Sequence, residues 1–153
     1  MTRDCHPFFI FEMYDCGVSQ VLPQILSYKE VFDASGNLRI LDLPFLVKRI
    51  YTIENVPKGE SRGFHAHKTL KQIFCMIQGE MEIDLSTPSF SQTFQLSKAK
   101  SSVLYIEPGY WRELYNFSSN AICLVLASEI YDESDYFRSY EDYSQWFSRN
   151  DFE

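Results

Sequence analysis

Apolar and polar residues alternate over short segments along most of the chain, and turn-forming residues separate these segments. We predict strands, some of them paired as hairpins, at residues 31–43, 45–56, 72–86, 88–97, 101–118 and 121–131. The last segment is apolar at most positions, which favours a central place in a sheet or in an interface. Short strands with turns about every 8 to 12 residues are typical of a sandwich or barrel. The pattern therefore predicts an all-β fold.

Helical spacing occurs in the C-terminal segment, where Phe137, Tyr140, Tyr143 and Phe147 recur every three or four residues. We expect one domain over residues 1–153, with a β core at about 28–131 and a helical tail at about 132–150. The aromatic side chains of the tail are expected to dock on the barrel. Its acidic residues are interpreted as a solvated face.

The charge distribution excludes some partners and suggests another. A net charge of −7 argues against a general nucleic-acid binder. Residues 48–72 nevertheless hold six Lys and Arg against two acids, whereas residues 129–153 hold eight acids against two arginines. A basic patch on an acidic protein is a candidate site for a small anionic ligand. The alternative is a solvated surface whose charges happen to cluster.

The sequence also bears on the cellular compartment. No apolar run approaches the roughly 20 residues of a membrane helix, so we expect no membrane partner. The N-terminus lacks the apolar core and small-residue cleavage site of a signal peptide. The four cysteines form neither a CxxC pair nor a dense disulfide framework. A reducing cytoplasm is the expected location.

Two of the three histidines stand one residue apart in the segment "GESRGFHAHKTLKQIFCMIQG". Gly59, His65, His67, Gln72 and Gly79 have the spacing of the first cupin motif, G-x5-H-x-H-x3,4-E-x6-G, with the glutamine in the place of the glutamate. In a strand, residues i and i+2 share a face. Both imidazoles are therefore expected to enter the barrel together.

A second segment resembles the second cupin motif, P-x-G-x2-H-x3-N. Gly109, Arg112 and Asn116 match it, with Arg112 in the place of the histidine and the proline displaced to Pro108. Metal-dependent cupins use the glutamate and this third histidine as ligands. A guanidinium stays protonated and offers no lone pair, and two histidines alone seldom form a tight site. We therefore expect no metal and no other cofactor.

Longer segments carry a narrower resemblance: "VKRIYTI", "RGFHAHKTLKQ", "WRELYNFS" and "LVLASEIYDESDY". They are similar to the WxcM-like 3,4-ketoisomerases, cupins that act on dTDP-4-keto-6-deoxyglucose, over residues 31–140. The resemblance implies a cupin jelly roll (double-stranded β-helix) with a short C-terminal helix. It also implies metal-independent chemistry and a homodimer with exchanged N-terminal strands.

The chain departs from this family at three places. The turn "DASGNL" has Ser35 where family members often have arginine before the glycine, and some members have histidine at the position of Arg112. The first 25 residues, which include His6, show no resemblance that we can assign. The first two differences bear on nucleotide contacts or product stereochemistry, and they leave the paired histidines intact.

The resemblance implies roles for individual residues. Moving a ketone from C4 to C3 of a hexose passes through an enediol, which needs a base near neutral pH and donors for an oxyanion. We assign His65 as the carbon-directed base and His67 as the group that moves protons on oxygen. Tyr51 would relay a proton between the two oxygens, and Arg49 would polarise them. The alternatives are that the two histidines are inert, that Tyr51 only fills the barrel and that Arg49 pairs with an acid.

Five further residues are substrate-binding candidates. Arg62 is a candidate clamp for the diphosphate, since guanidinium binds phosphate in a fork, or a surface arginine. Arg112 would bind the diphosphate or hold a carboxylate such as Glu113. Trp111 would stack on the thymine or pack at the barrel mouth. Gln72 would fix a histidine tautomer or bind a sugar hydroxyl.

Three other functions compete with the ketoisomerase. A 3,5-epimerase of the same sugar nucleotide is also a cupin with a histidine base, and it would exchange the proton at C5. A non-catalytic cupin would bind the sugar nucleotide without turnover. A metal-dependent oxygenase would hold iron, which Gln72 and Arg112 disfavour.

Overall fold

The computed structural model describes residues 21–100 and 102–149, so His6 and the rest of the unmatched segment before residue 21 lie outside it. Within these residues the chain forms two five-stranded antiparallel sheets and a two-stranded hairpin. The strand orders are β1-β9-β6-β11-β4 and β12-β5-β10-β7-β8, and β2 pairs with β3. The predicted all-β fold with a short C-terminal helix is confirmed.

The strands are Gln24–Ser27 (β1), Lys29–Asp33 (β2), Gly36–Ile40 (β3), Arg49–Glu54 (β4), Arg62–His67 (β5), Gln72–Gln78 (β6), Glu80–Thr87 (β7), Phe90–Ser97 (β8), Ser102–Ile106 (β9), Trp111–Tyr115 (β10), Ile122–Ala127 (β11) and Tyr136–Phe137 (β12). A short 3₁₀ helix spans Glu133–Asp135, and the α-helix α1 spans Tyr140–Arg149. None of the described helices is long and apolar enough to cross a membrane.

The main core fills the space between the two five-stranded sheets. Residues of β4 and of β6 to β11 point into it, among them the fully buried Ile83, Leu104 and Val125. Strand β11 lies between β6 and β4, as its apolar sequence predicted. Val125 joins the core between the sheets, while Leu126 packs in a second cluster. A strand with apolar contacts on both faces needs the uninterrupted apolar run seen here.

Helix α1 covers the outer face of the sheet that carries the histidine pair. Tyr143 is fully buried against Ala66 and Trp111, and its hydroxyl donates to the carbonyl oxygen of Gly109 at 2.7 Å. Because Ala66 faces the helix, its neighbours His65 and His67 face the opposite way, into the barrel. The aromatic spacing of the tail therefore serves docking, as expected.

The tail differs from the sequence prediction at its start. We expected helix from about residue 132, but α1 begins at Tyr140, and residues 136–137 form a strand. This strand pairs with β5, with Tyr136 opposite His67 and Phe137 opposite Ala66. An unpaired sheet edge offers backbone groups that an incoming segment can satisfy. The tail therefore extends the sheet before it turns into the helix.

Candidate active site

A cavity of about 390 Å³ opens between the two five-stranded sheets. Its lining residues are Arg49, Tyr51, Ile53, Arg62, Gly63, His65, Gln72, Phe74, Arg112, Leu114, Tyr136 and Arg138. Strands β4 and β6 contribute from one sheet, and β5, β10 and β12 from the other. Nine residues were predicted from the sequence to belong to a site, and six of them line this cavity.

Strand β4 places its predicted residues by simple alternation. Arg49, Tyr51 and Ile53 point to one face, and all three line the cavity. The guanidinium carbon of Arg49 lies 5.4 Å from the centre of the Tyr51 ring and 5.7 Å from that of Tyr131. This cation–π stacking holds the arginine at the cavity wall.

Strand β5 carries a β-bulge that decides which of its side chains enter the cavity. His65 pairs with Arg112, whereas Gly63 pairs with the residue immediately after Arg112. One residue of β5 is therefore extra, and Phe64 there has a φ of +54°. The bulge shifts the inward–outward alternation by one position. Arg62 and His65 consequently both line the cavity, although they are three residues apart.

The hydrogen bonding of His65 fixes its tautomer. Its Nδ1 lies 2.9 Å from the carbonyl oxygen of Gly63, which can only accept, so Nδ1 carries the proton. The other ring nitrogen, Nε2, therefore has a free lone pair. Burial, followed by the positive charge of Arg112, lowers the pKa of His65 from 6.5 to about 4. At neutral pH His65 is an uncharged base on the cavity wall.

His67 lies behind His65 and is fully buried. The two ring centres are 4.9 Å apart, and His67 is absent from the cavity lining. Its Nδ1 donates to Oδ2 of Asp135 at 2.9 Å, because an ionised carboxylate can only accept. Its Nε2 is buried and has no hydrogen-bond partner among residues 21–100 and 102–149. Burial and the charge of Arg112 lower the pKa of His67, so it too is neutral.

A chain of hydrogen bonds joins Arg112 to Tyr51. Arg112 donates from Nη1 to the side-chain oxygen of Gln72 and from Nη2 to the carbonyl oxygen of Tyr110, at 3.0 Å for the latter. Gln72 in turn donates from Nε2 to the hydroxyl oxygen of Tyr51 at 2.6 Å. The oxygen of Tyr51 is thus used as an acceptor. Its own proton remains available to a ligand in the cavity.

Burial shapes the charge states in this chain. It lowers the pKa of Arg112 to about 10, which keeps the guanidinium protonated at neutral pH. It raises the pKa of Tyr51 to about 12, an effect that the Arg112 charge opposes. Tyr51 is therefore a neutral phenol in the resting protein, and it can act as a hydrogen-bond donor.

Two predicted residues point away from the cavity. Because strand residues alternate and Arg112 faces inward, Trp111 and Glu113 face outward. The indole of Trp111 packs at 5.2 Å from the ring of Tyr140, and its Nε1 donates to Glu113 at 3.1 Å. Arg112 therefore holds Gln72 rather than the predicted Glu113. The geometry does not support the predicted stacking of Trp111 on a nucleobase.

Three residues of the tail belong to the site, and none of them was predicted from the sequence. Asp135 binds His67 and also accepts from the backbone N–H and hydroxyl of Thr69, each at 2.8 Å. Tyr136 and Arg138 line the cavity. The interpretation of the acidic tail as a solvated face is thus wrong for Asp135. The segment "LVLASEIYDESDY", which carried part of the family resemblance, was the signal that could have identified Asp135 and Tyr136.

The residues at the cupin metal positions do not fit a divalent ion. Arg112 places a permanent cation there, and it occupies the amide oxygen of Gln72. In the described part of the chain, no group of three or more His, Cys, Asp and Glu side chains is arranged to hold a metal. Metal independence stays a prediction, and the experiment below tests it.

The low pKa of His65 predicts that the fold loses stability as the pH falls from 6.5 to about 4. Above this range the imidazole is neutral in the folded and the unfolded chain. Within it the unfolded chain binds a proton at His65 that the folded chain does not, so this residue alone lowers the free energy of unfolding by about 2 kcal/mol at pH 5. Urea unfolding at pH 7 and pH 5 measures the total fall, to which His67 contributes in the same direction. In a His65→Asn variant the fall should be smaller by about this amount, and equal falls would contradict the prediction.

A protein-family profile described as "FdtA: WxcM-like, C-terminal" matches residues 22–148. The chain belongs to this family. The chain is also similar to the TDP-4-oxo-6-deoxy-alpha-D-glucose-3,4-oxoisomerase of Aneurinibacillus thermoaerophilus. The two are 33% identical over 134 residues, 85% of this chain and 96% of the relative.

Solved structures agree with the family assignment. The 3,4-ketoisomerase QdtA of Thermoanaerobacterium thermosaccharolyticum was crystallised as a histidine-to-asparagine variant in complex with TDP-4-keto-6-deoxyglucose. It matches with a TM-score of 0.78 and 35% identity, over 86% of this chain and 97% of QdtA. ChmJ, a 3′-monoepimerase of Streptomyces bikiniensis, matches with a TM-score of 0.64 and 14% identity, over 78% of this chain and 70% of ChmJ. The likeness to ChmJ shows a shared fold alone.

Proposed function

We propose that the protein is a sugar-nucleotide 3,4-ketoisomerase that converts dTDP-4-keto-6-deoxyglucose to a dTDP-3-keto-6-deoxyhexose. The observation that carries the proposal is the pairing of two groups across one cavity. A neutral His65 with a free Nε2 lies on one sheet, and the Tyr51 phenol with a free proton lies on the other. The family membership of the chain supports the same reaction.

The first half of the reaction removes the proton at C3. This proton is acidic because it is adjacent to the C4 ketone. Nε2 of His65 takes it, and the electron pair of the C3–H bond forms a C3=C4 double bond. The carbonyl electrons move to O4, which receives the hydroxyl proton of Tyr51, so the product of this half is an enediol.

The second half returns the protons in new places. The proton on O3 passes to the phenolate oxygen of Tyr51, and the O3 electrons form the C3 ketone. The electrons of the C3=C4 bond take the proton of the His65 imidazolium at C4. Both side chains are restored, and no external oxidant or reductant is needed. His67, held by Asp135 directly behind His65, is proposed to support the proton movements on oxygen.

Arginines around the cavity suit an anionic substrate. Arg49 and Arg62 both line it, on opposite sheets. A guanidinium binds phosphate oxygens in a fork and remains charged at every physiological pH. We assign them to the diphosphate and the sugar oxygens. Arg112 is buried and already engaged, so we assign it to the polarisation of Tyr51 through Gln72.

An NMR time course tests the function. EDTA-treated protein is incubated in D2O with dTDP-4-keto-6-deoxyglucose. A 3-keto sugar with deuterium at C4 is the expected product, and its C4 configuration identifies the hexose. Conversion that requires added metal would contradict metal independence.

The same experiment separates the rival functions. Exchange at C5 without formation of a 3-ketone would indicate an epimerase. Binding of the substrate without any exchange would indicate a non-catalytic sugar-nucleotide-binding cupin. Either result would reject the ketoisomerase.

We further propose that the protein acts as a homodimer in which the β2–β3 hairpins are exchanged. In the described residues these two strands pair only with each other, and an isolated hairpin is marginally stable in water. Val31 and Leu38 are cross-strand partners on one face of the hairpin, and they are 42% and 56% exposed. Exposed apolar patches of this kind mark interaction sites, and we assign a second copy of the chain as the partner.

A Leu38→Lys variant is expected to be a monomer, because it places a charge on the apolar face of the hairpin. Light scattering after size exclusion measures the mass. The matched control is Asn37→Lys, which adds the same charge on the opposite face of β3. It should leave the dimer intact. A dimeric mass for Leu38→Lys, or a monomeric mass for the wild type, would refute the proposal.

We place the enzyme in the cytoplasm. Cys75 and Cys123 are free thiols, which suits a reducing compartment.

A further inference from the structure

Tyr136 enters the cavity from the strand that the C-terminal tail adds to the sheet. It lies directly opposite His67 in the β12–β5 pair, and cross-strand partners share a face. Its ring centre is 4.2 Å from that of His67 and 5.2 Å from that of His65. The phenol thus stands beside both imidazoles, on the sheet opposite to Tyr51.

Neighbouring side chains hold the ring of Tyr136, whereas its hydroxyl makes no hydrogen bond in the part of the chain that the structure describes. The guanidinium carbon of Arg138 lies 4.5 Å from the ring centre, and the Tyr131 ring packs at 5.7 Å. Arg138 is itself fixed by two hydrogen bonds to Glu133. Within residues 21–100 and 102–149, however, the hydroxyl of Tyr136 has no hydrogen-bond partner. Tyr51 and Tyr143, by contrast, both use their hydroxyls in the fold.

The two cavity phenols are close enough to influence each other. Burial chiefly, and the nearby Tyr136 in addition, raise the pKa of Tyr51 to about 12. Tyr136 lines the cavity, its ring is held in place, and its hydroxyl has no partner among the described residues, so this hydroxyl is suited to bind a ligand oxygen.

Tyr51 moves the proton between O4 and O3, so at each stage only one of the two oxygens is served by its hydroxyl. Negative charge develops on O4 when the enediol forms and on O3 when it collapses. A preorganised donor at each oxygen stabilises each transition state. Tyr51 and Tyr136 approach from opposite sheets, so they can serve different oxygens of one sugar ring.

We propose that Tyr136 is a second catalytic phenol, which donates a hydrogen bond to one of the two sugar oxygens while Tyr51 transfers the proton between them. No proton needs to leave Tyr136, because the donated hydrogen bond alone stabilises the oxyanion. This inference rests on the proposed ketoisomerase function and adds a residue to it.

The test is a Tyr136→Phe variant, which keeps the ring and its packing and removes only the hydroxyl. Two rates are followed by NMR in D2O: formation of the 3-keto product, and exchange of deuterium into C3 of the remaining substrate. The first requires both halves of the reaction, and the second requires only the first half and its reversal. Rates are expressed per dTDP-binding site counted by titration, so a loss of folded protein is not counted as lost chemistry.

We expect kcat to fall about 10²-fold. We also expect the ratio of C3 exchange to product formation to change at least about tenfold, because loss of the hydroxyl affects formation and collapse of the enediol unequally. A kcat within about threefold of the wild type would overturn the proposal. A proportional fall in both rates, or a raised KM with unchanged kcat, would also overturn it.

Tyr140→Phe is the matched control. Its ring packs on Trp111 and Tyr143 outside the cavity, so both rates should equal those of the wild type. If the wild type itself forms no 3-ketone, the proposed function fails, and that outcome is distinct from a failure of Tyr136 alone.

Discussion

A His65→Asn variant is expected to convert dTDP-4-keto-6-deoxyglucose at least about 10³-fold more slowly than the wild type. Asparagine has no group that can accept and return a carbon-bound proton at neutral pH. The Nε2 lone pair of His65 is available for this step because Nδ1 is committed to the carbonyl oxygen of Gly63. The measurement is the same NMR time course, read both at the product and at C3 of the substrate.

Exchange at C3 distinguishes His65 from the other candidates. Without the carbon base, deuterium should fail to enter C3, whereas dTDP should still bind, because the cations of the cavity are unchanged. The third histidine of the chain, His6, has no assigned role, and His6→Asn is the control that should keep full activity. Turnover of His65→Asn within about tenfold of the wild type would move the base to another residue, and His67 would be the first candidate.

A Gly63→Ala substitution is expected to destabilise the fold by about 2–4 kcal/mol and to remove most of the activity. Gly63 has a φ of +97°, in the region that side chains avoid. A Cβ atom there would lie 2.6 Å from the backbone oxygen of Arg112 and 3.0 Å from a methyl group of Leu114. The backbone of β10 would have to move to relieve this contact. That movement would displace the guanidinium of Arg112 and alter the bulge that aims His65 and Arg62 at the cavity.

Gly59 supplies a matched control for this variant. Its φ of +86° is also positive, but no atom lies within 4 Å of a Cβ built there. Gly59→Ala therefore carries only the backbone strain, about 1 kcal/mol. Urea unfolding of the two variants measures the difference, and turnover should survive in Gly59→Ala. Equal losses of stability in both would mean that the close approach of β5 and β10 does not restrict residue 63.

The alternation of strand residues accounts for most of what the sequence predicted correctly. The H-x-H spacing placed both imidazoles on the inner face of β5, and the same rule placed Arg49 and Tyr51 together on β4. Applied to β10, it would also have turned Trp111 outward once Arg112 was taken as inward. Of the two alternatives for Trp111, stacking on the thymine lacks geometric support. That alternative was based on residue type, an aromatic beside a nucleotide site, and not on the face of the strand that carries Trp111.

Strand alternation could not predict the contribution of the tail residues to the site. Asp135 holds His67, and Tyr136 reaches the cavity, because residues 136–137 pair with β5. No periodicity within "YDESDYFR" indicates that pairing, since two residues are too few to show a strand pattern. Similarly, the sequence shows Gly63 but not the bulge, which exists only when β5 is matched against β10.

The amino-acid sequence alone established the strand-rich fold, the paired histidines and the loss of two cupin metal ligands at Gln72 and Arg112. These features depend on which residues are present and on their spacing within single strands. Both can be read from residues that are close together in the chain. Only the tertiary structure decided that Gln72 links Arg112 to Tyr51, that Asp135 fixes the tautomer of His67 and that Tyr136 faces Tyr51 across the cavity. Those contacts join segments far apart in the chain, and they arise because packing and edge pairing select among many possible partners for each strand.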